Sequence, residues 1–422
     1  MSDFKALGVS CEYIEILKRN GIKEPTSIQE MAIPEILSGR NVIGQSQTGT
    51  GKTLAFVLPI IEKLDTNNPY IQAVIITPTR ELALQIHGVF TMLTSPKDIN
   101  VLAAYGGHDV DDQIRKLKGN VHVVIGTPGR LLDLIDRKTL DLGKTRMVVL
   151  DEADVMLKMG FIEDVEQIIK KTFHARQTMI FSATMPKGIR MIARRYLKNA
   201  ADLSVRTRTI SVEEIDQAAF ETTEENKQDM LISLLKAYNP FMAMVFCSSK
   251  KRVSEVAERI FEAGYLVDEI HGDITQVKRE RIMKSFREMK LQVLVATDIA
   301  ARGLDIQGLT HVFNYDVPHS KEWYLHRIGR TGRAGEKGTA VTLYTQKDAY
   351  YLNQIEKGIN KRIPKKQLKN GEIVDVQKRT ISEGRSSVNK EYRPGYGSKS
   401  KEKGYKTFGS GRAKLGGRKK SK

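Results

Sequence analysis

The chain has 422 residues, 40% hydrophobic and 28% charged, enough for two or three domains each with its own core. No apolar run approaches the ~18 residues a membrane helix needs, and residues 1–21 carry no basic-then-apolar leader, so neither a membrane span nor secretion is expected. The formal charge of +18 points to a polyanionic partner, yet residues 361–422 hold 20 Lys and Arg against 5 Asp and Glu, a net +15 that leaves +3 for the other 360 residues.

In chain order, the first informative segment follows the apolar run Asn41-Val42-Ile43-Gly44 and precedes apolar residues at helical spacing, Leu54, Phe56, Val57, Ile60, Ile61 and Leu64. Between strand and helix lies Ser46-Gln47-Thr48-Gly49-Thr50-Gly51-Lys52-Thr53, a phosphate-binding loop by context and composition. Gly49 and Gly51 let the backbone curl so that N–H groups converge at a helix N-terminus, which carries positive partial charge. Lys52 is then placed to reach the β and γ phosphates of a nucleoside triphosphate, and the Thr53 hydroxyl to ligate Mg²⁺. Ser46 stands where the general loop pattern has glycine.

Further short β-rich runs follow at residues 73–77, 100–105, 121–126, 147–150 and 178–181, with amphipathic stretches between them, the pattern of a mostly parallel sheet covered by helices on both faces. Asp151 falls at the carboxyl end of the fourth run, where open α/β sheets bind ligands, and so suits the Mg²⁺ shell. Glu152 beside it is placed to orient and deprotonate an attacking water. The series pauses over polar residues 199–214 and resumes at 242–246, 266–270, 292–296, 311–315 and 339–343. The reading is α/β: two tandem doubly wound parallel-sheet domains, residues 1–207 and 216–363, with a linker at 208–215. Cys11 and Cys247 read as small core residues in a reducing compartment.

From residue 364 the apolar periodicity fades into Gly, Ser, Lys and Arg with isolated Tyr392, Tyr396, Tyr405 and Phe408. Such a tail cannot bury enough apolar surface to fold alone, and a disordered end is expected. It reads either as a solubilising end or as a flexible nucleic-acid tether; rings interleaved with cations favour the tether, because they can stack on bases while the cations neutralise phosphates.

These segments, with Asp151-Glu152-Ala153-Asp154 and His326-Arg327-Ile328-Gly329-Arg330-Thr331-Gly332-Arg333, resemble the DEAD-box ATP-dependent RNA helicases over roughly residues 4–360. The resemblance implies two RecA-like domains, ATP and Mg²⁺ as ligands, and RNA held largely by its backbone without sequence preference. Ser46 falls where that family usually has alanine. Gly21 to Gln29 is similar to the family's Q motif, which implies ATP: Gln29 would read the adenine edge and Phe4 stack on its ring. Gly303 and Asp305 would meet the ribose.

For RNA, the resemblance implies contacts from Arg80 in Pro78-Thr79-Arg80-Glu81-Leu82-Ala83, from Gly107, from Thr127, Gly129 and Arg130, and from Arg279 and Thr297 in the second domain. Ser182 and Thr184 would bond to Asp154 and couple hydrolysis to strand separation. Arg330 and Arg333 look like arginine fingers that complete a catalytic set of Lys52, Asp151 and Glu152 from the other domain. The function implied is RNA-stimulated ATP hydrolysis coupled to local, non-processive duplex unwinding and remodelling of RNA–protein complexes, in the cytoplasm. The alternative is an ATP-gated RNA clamp whose unwinding is incidental; a DNA translocase is disfavoured because the Q motif and both other motifs occur together. No folded domain is expected after the second core.

Overall fold

In a computed structural model, the described residues are 3–46, 49–94, 98–107, 109–174, 176–205, 215–301, 309–332, 338–369 and 371–376. The first lobe is built on strands β1 (Val42–Gln45), β2 (Ala73–Ile76), β3 (Val101–Ala104), β4 (Val123–Gly126), β5 (Met147–Leu150), β6 (Gln177–Ser182) and β7 (Ala201–Ser204). Their order across the sheet is β3-β4-β2-β5-β6-β1-β7, every pair parallel. The strands Ala-Val-Ile-Ile and Met-Val-Val-Leu are buried at every position because both faces of the sheet are covered. One face packs against helices Cys11–Arg19, Ser27–Leu37, Lys52–Lys63 and Arg80–Leu93. The other packs against Pro128–Asp136, Ile162–Lys171 and Lys187–Tyr196, with the short helix Ala153–Lys158.

The second lobe carries β8 (Ile215–Glu221), β9 (Ala243–Cys247), β10 (Val267–Ile270), β11 (Val293–Thr297), β12 (His311–Asn314), β13 (Gly338–Tyr344), β14 (Lys365–Lys369) and β15 (Glu372–Asp375), in the order β10-β11-β9-β12-β13-β8-β14-β15. All pairs are parallel except the β14–β15 hairpin. Helices Lys227–Tyr238 and Lys250–Glu262 cover one face; Gln276–Arg287, Lys321–Ile328 and Ala349–Ile359 cover the other.

Two parallel-sheet lobes were expected, and both are present, but the boundaries need correction. The pause at 199–214 contains β7, whose alternating burial marks a half-exposed edge strand, and β8 starts at Ile215 within the expected linker. Lys365–Lys369 and Glu372–Asp375, assigned from sequence to the disordered tail, pair as the antiparallel strands β14 and β15, with Leu368 and Ile373 packed on the core between exposed charged ends. Four- and five-residue strands rich in Lys and Glu give too weak an alternation to recognise. Cys11 is exposed, not core; Cys247 is buried in β9. Most of the linker and residues 377–422 lie outside the described residues.

Candidate functional site

Strand order sorts the motifs. The loops after β1, β5 and β6, on neighbouring strands, carry Lys52, Asp151 to Asp154, and Ser182; the loops after β2, β4 and β3, also neighbours, carry Arg80, Thr127 to Arg130, and Gly107. The carboxyl-end rim is thereby divided into two adjoining groups of residues, at the strand ends where open α/β sheets bind ligands.

In the phosphate loop, Gly51 is the N-cap of helix Lys52–Lys63 with φ +88°, and a Cβ there would collide with the Gln29 amide, so only glycine fits. Lys52, 7% exposed, donates from Nζ to the Ser46 carbonyl at 2.8 Å, and Thr50 Oγ1 donates to Ser46 Oγ at 3.0 Å. Ser46 thus supplies the loop's internal anchors. Gln29 is 2% exposed: its Oε1 accepts from Thr26 N–H at 2.9 Å in a capping box, and its Nε2 donates to the Gly51 carbonyl at 2.9 Å. The amide expected at the adenine edge therefore also ties the Q motif to the phosphate loop. Phe4, expected to stack on adenine, is 2% exposed and sits within the first core in this structure. Gly49 has φ +82°, and Thr53 lies in the first turn of the helix; Gln47 and Thr48 lie outside the described residues.

Asp151 closes β5, buried, with Oδ1 accepting from Glu152 N–H at 2.9 Å. Burial pushes its carboxyl up to about 7; Lys52 opposes that shift and Glu152 adds to it. A buried acid so short of positive charge is poised to accept a cation, and one carboxylate with one hydroxyl suits Mg²⁺, which keeps several waters and takes substrate phosphates as ligands. Glu152 adopts φ 51°, ψ 47°, a left-handed conformation costly for a side-chain-bearing residue, at the N-cap of helix Ala153–Lys158.

Asp154 is 1% exposed and receives Ser182 Oγ at Oδ1 and Thr184 Oγ1 at Oδ2, both at 2.7 Å. Burial raises its carboxyl, but the hydrogen bonds from Thr184 and Ser182, with the charges of His326 and Lys158, hold it below the usual carboxylate range. The structure joins all three residues assigned to coupling.

Arg80 starts helix Arg80–Leu93, and its guanidinium lies so close over Gly107, φ +89°, that a Cβ there would strike it. Arg130 donates to Gln113 Oε1 at 2.9 Å, and Gln113 Nε2 donates to the Tyr105 carbonyl at 3.1 Å, which braces two neighbouring loops. Thr127 N-caps its helix without a side-chain bond, and a Cβ at Gly129 would meet nothing within 4 Å, so this turn presents an open surface. Arg279 behaves differently from an outward phosphate hook. It pairs with Glu81 of the first lobe at 2.6 Å and donates from Nη2 to the Ala300 carbonyl at 2.6 Å, while Ala300 N–H reaches Thr297 Oγ1 at 3.4 Å. Beside it, Arg80 Nη1 donates to Gln276 Oε1 at 3.4 Å.

Residues of both lobes line one cleft: Lys52, Glu152 and Asp154 from the first, and His326, Arg327 and Arg330 from the second. Arg333, Gly303 and Asp305 lie outside the described residues. The sequence reading missed Arg327, which forks onto Asp298 at 2.6 and 2.7 Å, and Glu81, whose partner is some two hundred residues away. Arg327 shares the buried face of helix Lys321–Ile328 with Tyr324 and Ile328, and that apolar spacing was the available signal. The chain's one tryptophan, Trp323, was also missed; Lys158 of the first lobe lies 5.7 Å over its ring.

Residues 26–192 match the family model described as DEAD/DEAH box helicase, and 226–335 match the helicase conserved C-terminal domain. The chain is 44% identical over 384 residues to the DEAD-box ATP-dependent RNA helicase CshA of Bacillus cereus, covering 91% of this chain and 73% of that protein. It is 47% identical over 354 residues to ATP-dependent RNA helicase CshA of Limosilactobacillus reuteri, covering 84% and 71%. Among solved structures, Saccharomyces cerevisiae Dbp5 bound to RNA and ADP BeF3 superposes with TM-score 0.78 at 32% identity, covering 86% of this chain and 94% of that one. Mss116 bound to single-stranded RNA and UDP-BeF gives TM-score 0.79 at 28% identity, covering 88% and 81%.

Proposed function

This chain belongs to the DEAD-box ATP-dependent RNA helicases, and from that premise we propose how its residues hydrolyse ATP and open RNA duplexes. The observation that carries the reading is the shared cleft, in which Lys52 and Glu152 of one lobe face Arg330 of the other. Lys52 leaves the Ser46 carbonyl for the β and γ phosphates, which lie against the converging N–H groups of the loop. Asp151 and Thr53 would hold Mg²⁺, which would supply neutralisation of phosphate charge. Glu152 takes the proton of the attacking water, and Arg330, with Arg333, stabilises charge developing on the transferred phosphoryl group. Gln29 reads adenine from its place against Gly51.

Arg80, Gly107, Thr127, Gly129 and Arg130 form one half of an RNA track, and Thr297 with the braced Arg279 the other. Because half of each ligand's contacts belong to each lobe, ATP and RNA bind with positive linkage. Hydrolysis removes the phosphate that joins the halves, and RNA is released after local strand separation. Ser182 and Thr184 transmit that change through Asp154. The relatives named as helicases favour unwinding over an ATP-gated clamp. Among the described residues no helix is long and apolar enough to cross a membrane; the reading places the protein in the cytoplasm, where ATP and RNA meet. The test is ATP hydrolysis measured with RNA, with DNA and with neither, alongside strand displacement of a short RNA duplex. Equal rates in all three ATPase arms overturn the reading.

A further inference from the structure

Arg327 has no task in the catalytic account, yet it is among the most thoroughly engaged side chains in the second lobe. It is 3% exposed; Nε and Nη2 fork onto Asp298 Oδ1 and Oδ2 at 2.6 and 2.7 Å, and Nη1 donates to the Asp316 carbonyl at 2.6 Å and to Asn314 Oδ1 at 3.3 Å. The guanidinium also lies 5.2 Å over the Phe246 ring. These contacts come from the tips of β9, β11 and β12, so one side chain gathers three strand ends. Buried ion pairs add little net stability over well-packed apolar residues, because desolvating two charges offsets their attraction. What a bidentate fork supplies is fixed geometry.

That geometry is passed on to Arg330. Helix Lys321–Ile328 ends two residues before it, and Arg330 N–H bonds back to the Arg327 carbonyl at 3.1 Å. On the other side Thr331, fully buried, donates from Oγ1 to the Leu309 and Thr310 carbonyls at 2.6 and 2.9 Å. Arg330 therefore projects into the cleft from a turn clamped at both ends, and the clamp on the helical side is Arg327. The fork also covers a charge: Asp298 lines the same cleft as Lys52 and Glu152, and paired with Arg327 its carboxylate does not face the triphosphate as a bare anion.

We propose that Arg327 and Asp298 are a positioning pair that sets the aim of Arg330 at the transferred phosphate. The pair acts through the backbone of the turn. This rests on Arg330 being an arginine finger, so the experiment includes that residue. The Asp316 carboxylate provides the comparison: it belongs to a separate buried cluster, 3.2 Å from Lys227 Nζ and accepting from Ser248 N–H at 2.8 Å, whereas Arg327 uses only the Asp316 carbonyl.

The variants are Arg327→Lys, Asp298→Asn, their double, Asp316→Asn and Arg330→Gln, made in the full chain. Each is measured for kcat and KM for ATP at saturating RNA and for thermal midpoint. Arg327→Lys and Asp298→Asn each lower kcat by about tenfold or more, short of the ~10² that a 1 Å misplacement costs, with KM for ATP within about twofold. The double is no worse than the poorer single variant, because both break one unit. Asp316→Asn lowers the midpoint and leaves kcat unchanged. If Arg330→Gln abolishes turnover while Arg327→Lys and Asp298→Asn keep wild-type kcat, or if Asp316→Asn at a similar loss of midpoint lowers kcat as much as they do, positioning is overturned. If Arg330→Gln itself keeps wild-type kcat, the finger assignment falls first and the pair falls with it.

Discussion

The Arg279 guanidinium and the Glu81 carboxylate meet at 2.6 Å across the two lobes, each side chain about one-eighth exposed. Arg279 itself and Arg80, which precedes Glu81, were expected to touch RNA, and the pair connects helix Arg80–Leu93 to helix Gln276–Arg287. Glu81→Gln keeps the shape and removes the charge. The expected result is ordinary RNA-free ATPase with RNA-stimulated ATPase reduced by about tenfold, the range of a partly buried pair. Trp323 fluorescence, reporting the cleft, should show a smaller change when ATP analogue and RNA are added together.

Asp151 should govern the pH dependence of ATP hydrolysis. Its carboxyl is pushed up to about 7 by burial, so the proton must leave before a cation binds, and kcat/KM for ATP should rise through pH 7 to a plateau. For stability the sign is opposite: the folded state holds this proton more tightly than the unfolded chain, so stability is lost as pH rises from about 4 through 7. Asp151→Asn should raise the melting temperature of the nucleotide-free protein at pH 8, have little effect at pH 4, and abolish turnover. A flat kcat/KM profile between pH 6 and 8 contradicts the assignment.

Glu152→Gln should lower kcat by about 10² or more while ATP and RNA still bind together, because the amide cannot take a proton from water. Filter binding with a non-hydrolysed control shows whether the ternary complex persists. Hydrolysis at the wild-type rate removes Glu152 from its role.

Ser182→Ala with Thr184→Ala takes both hydroxyls from Asp154. ATP hydrolysis should stay within a few-fold of wild type, while strand displacement drops by about tenfold or more. These hydroxyls hold the Asp154 carboxyl low, so their stabilisation is present above pH ~4 and fades as pH falls through the depressed value; the double variant should lose its stability deficit in acid.

Deletion of residues 377–422 should weaken RNA binding and flatten its salt dependence, because fewer cations displace counterions, and spare ATP hydrolysis at saturating RNA. The cut belongs after Val376: β14 pairs with β8, and removing it would expose a sheet edge. RNA affinity unchanged at low salt would sink the tether.

Legibility in the sequence followed locality. Lys52, Asp151, Glu152 and Asp154 were readable because each lies in a run of a few residues at a strand end, where loop chemistry is written contiguously. β7 and the β14–β15 hairpin were not, since short strands with polar faces owe their state to the neighbours they pair with; β8, seven residues long and mostly buried, owes its place to pairing with β13 along its whole length. Gln29 was found, but its bond to the Gly51 carbonyl was not, because two segments 22 residues apart had to be folded together first.

By itself, then, the sequence determined the parts: a phosphate loop, an acidic strand end, an arginine-rich turn and a basic tail, each specified by residue type and short spacing. Tertiary structure alone decided their grouping. Crossover packing set the order β3-β4-β2-β5-β6-β1-β7, which separates the residues assigned to nucleotide from those assigned to RNA along one rim, and it brought Arg330 to the cleft that Lys52 lines. It also gave Arg327 and Glu81 their partners. A guanidinium has the same chemistry wherever it occurs in a chain; only burial beside Asp298 makes one arginine a brace, and only exposure to the cleft makes the next a candidate finger.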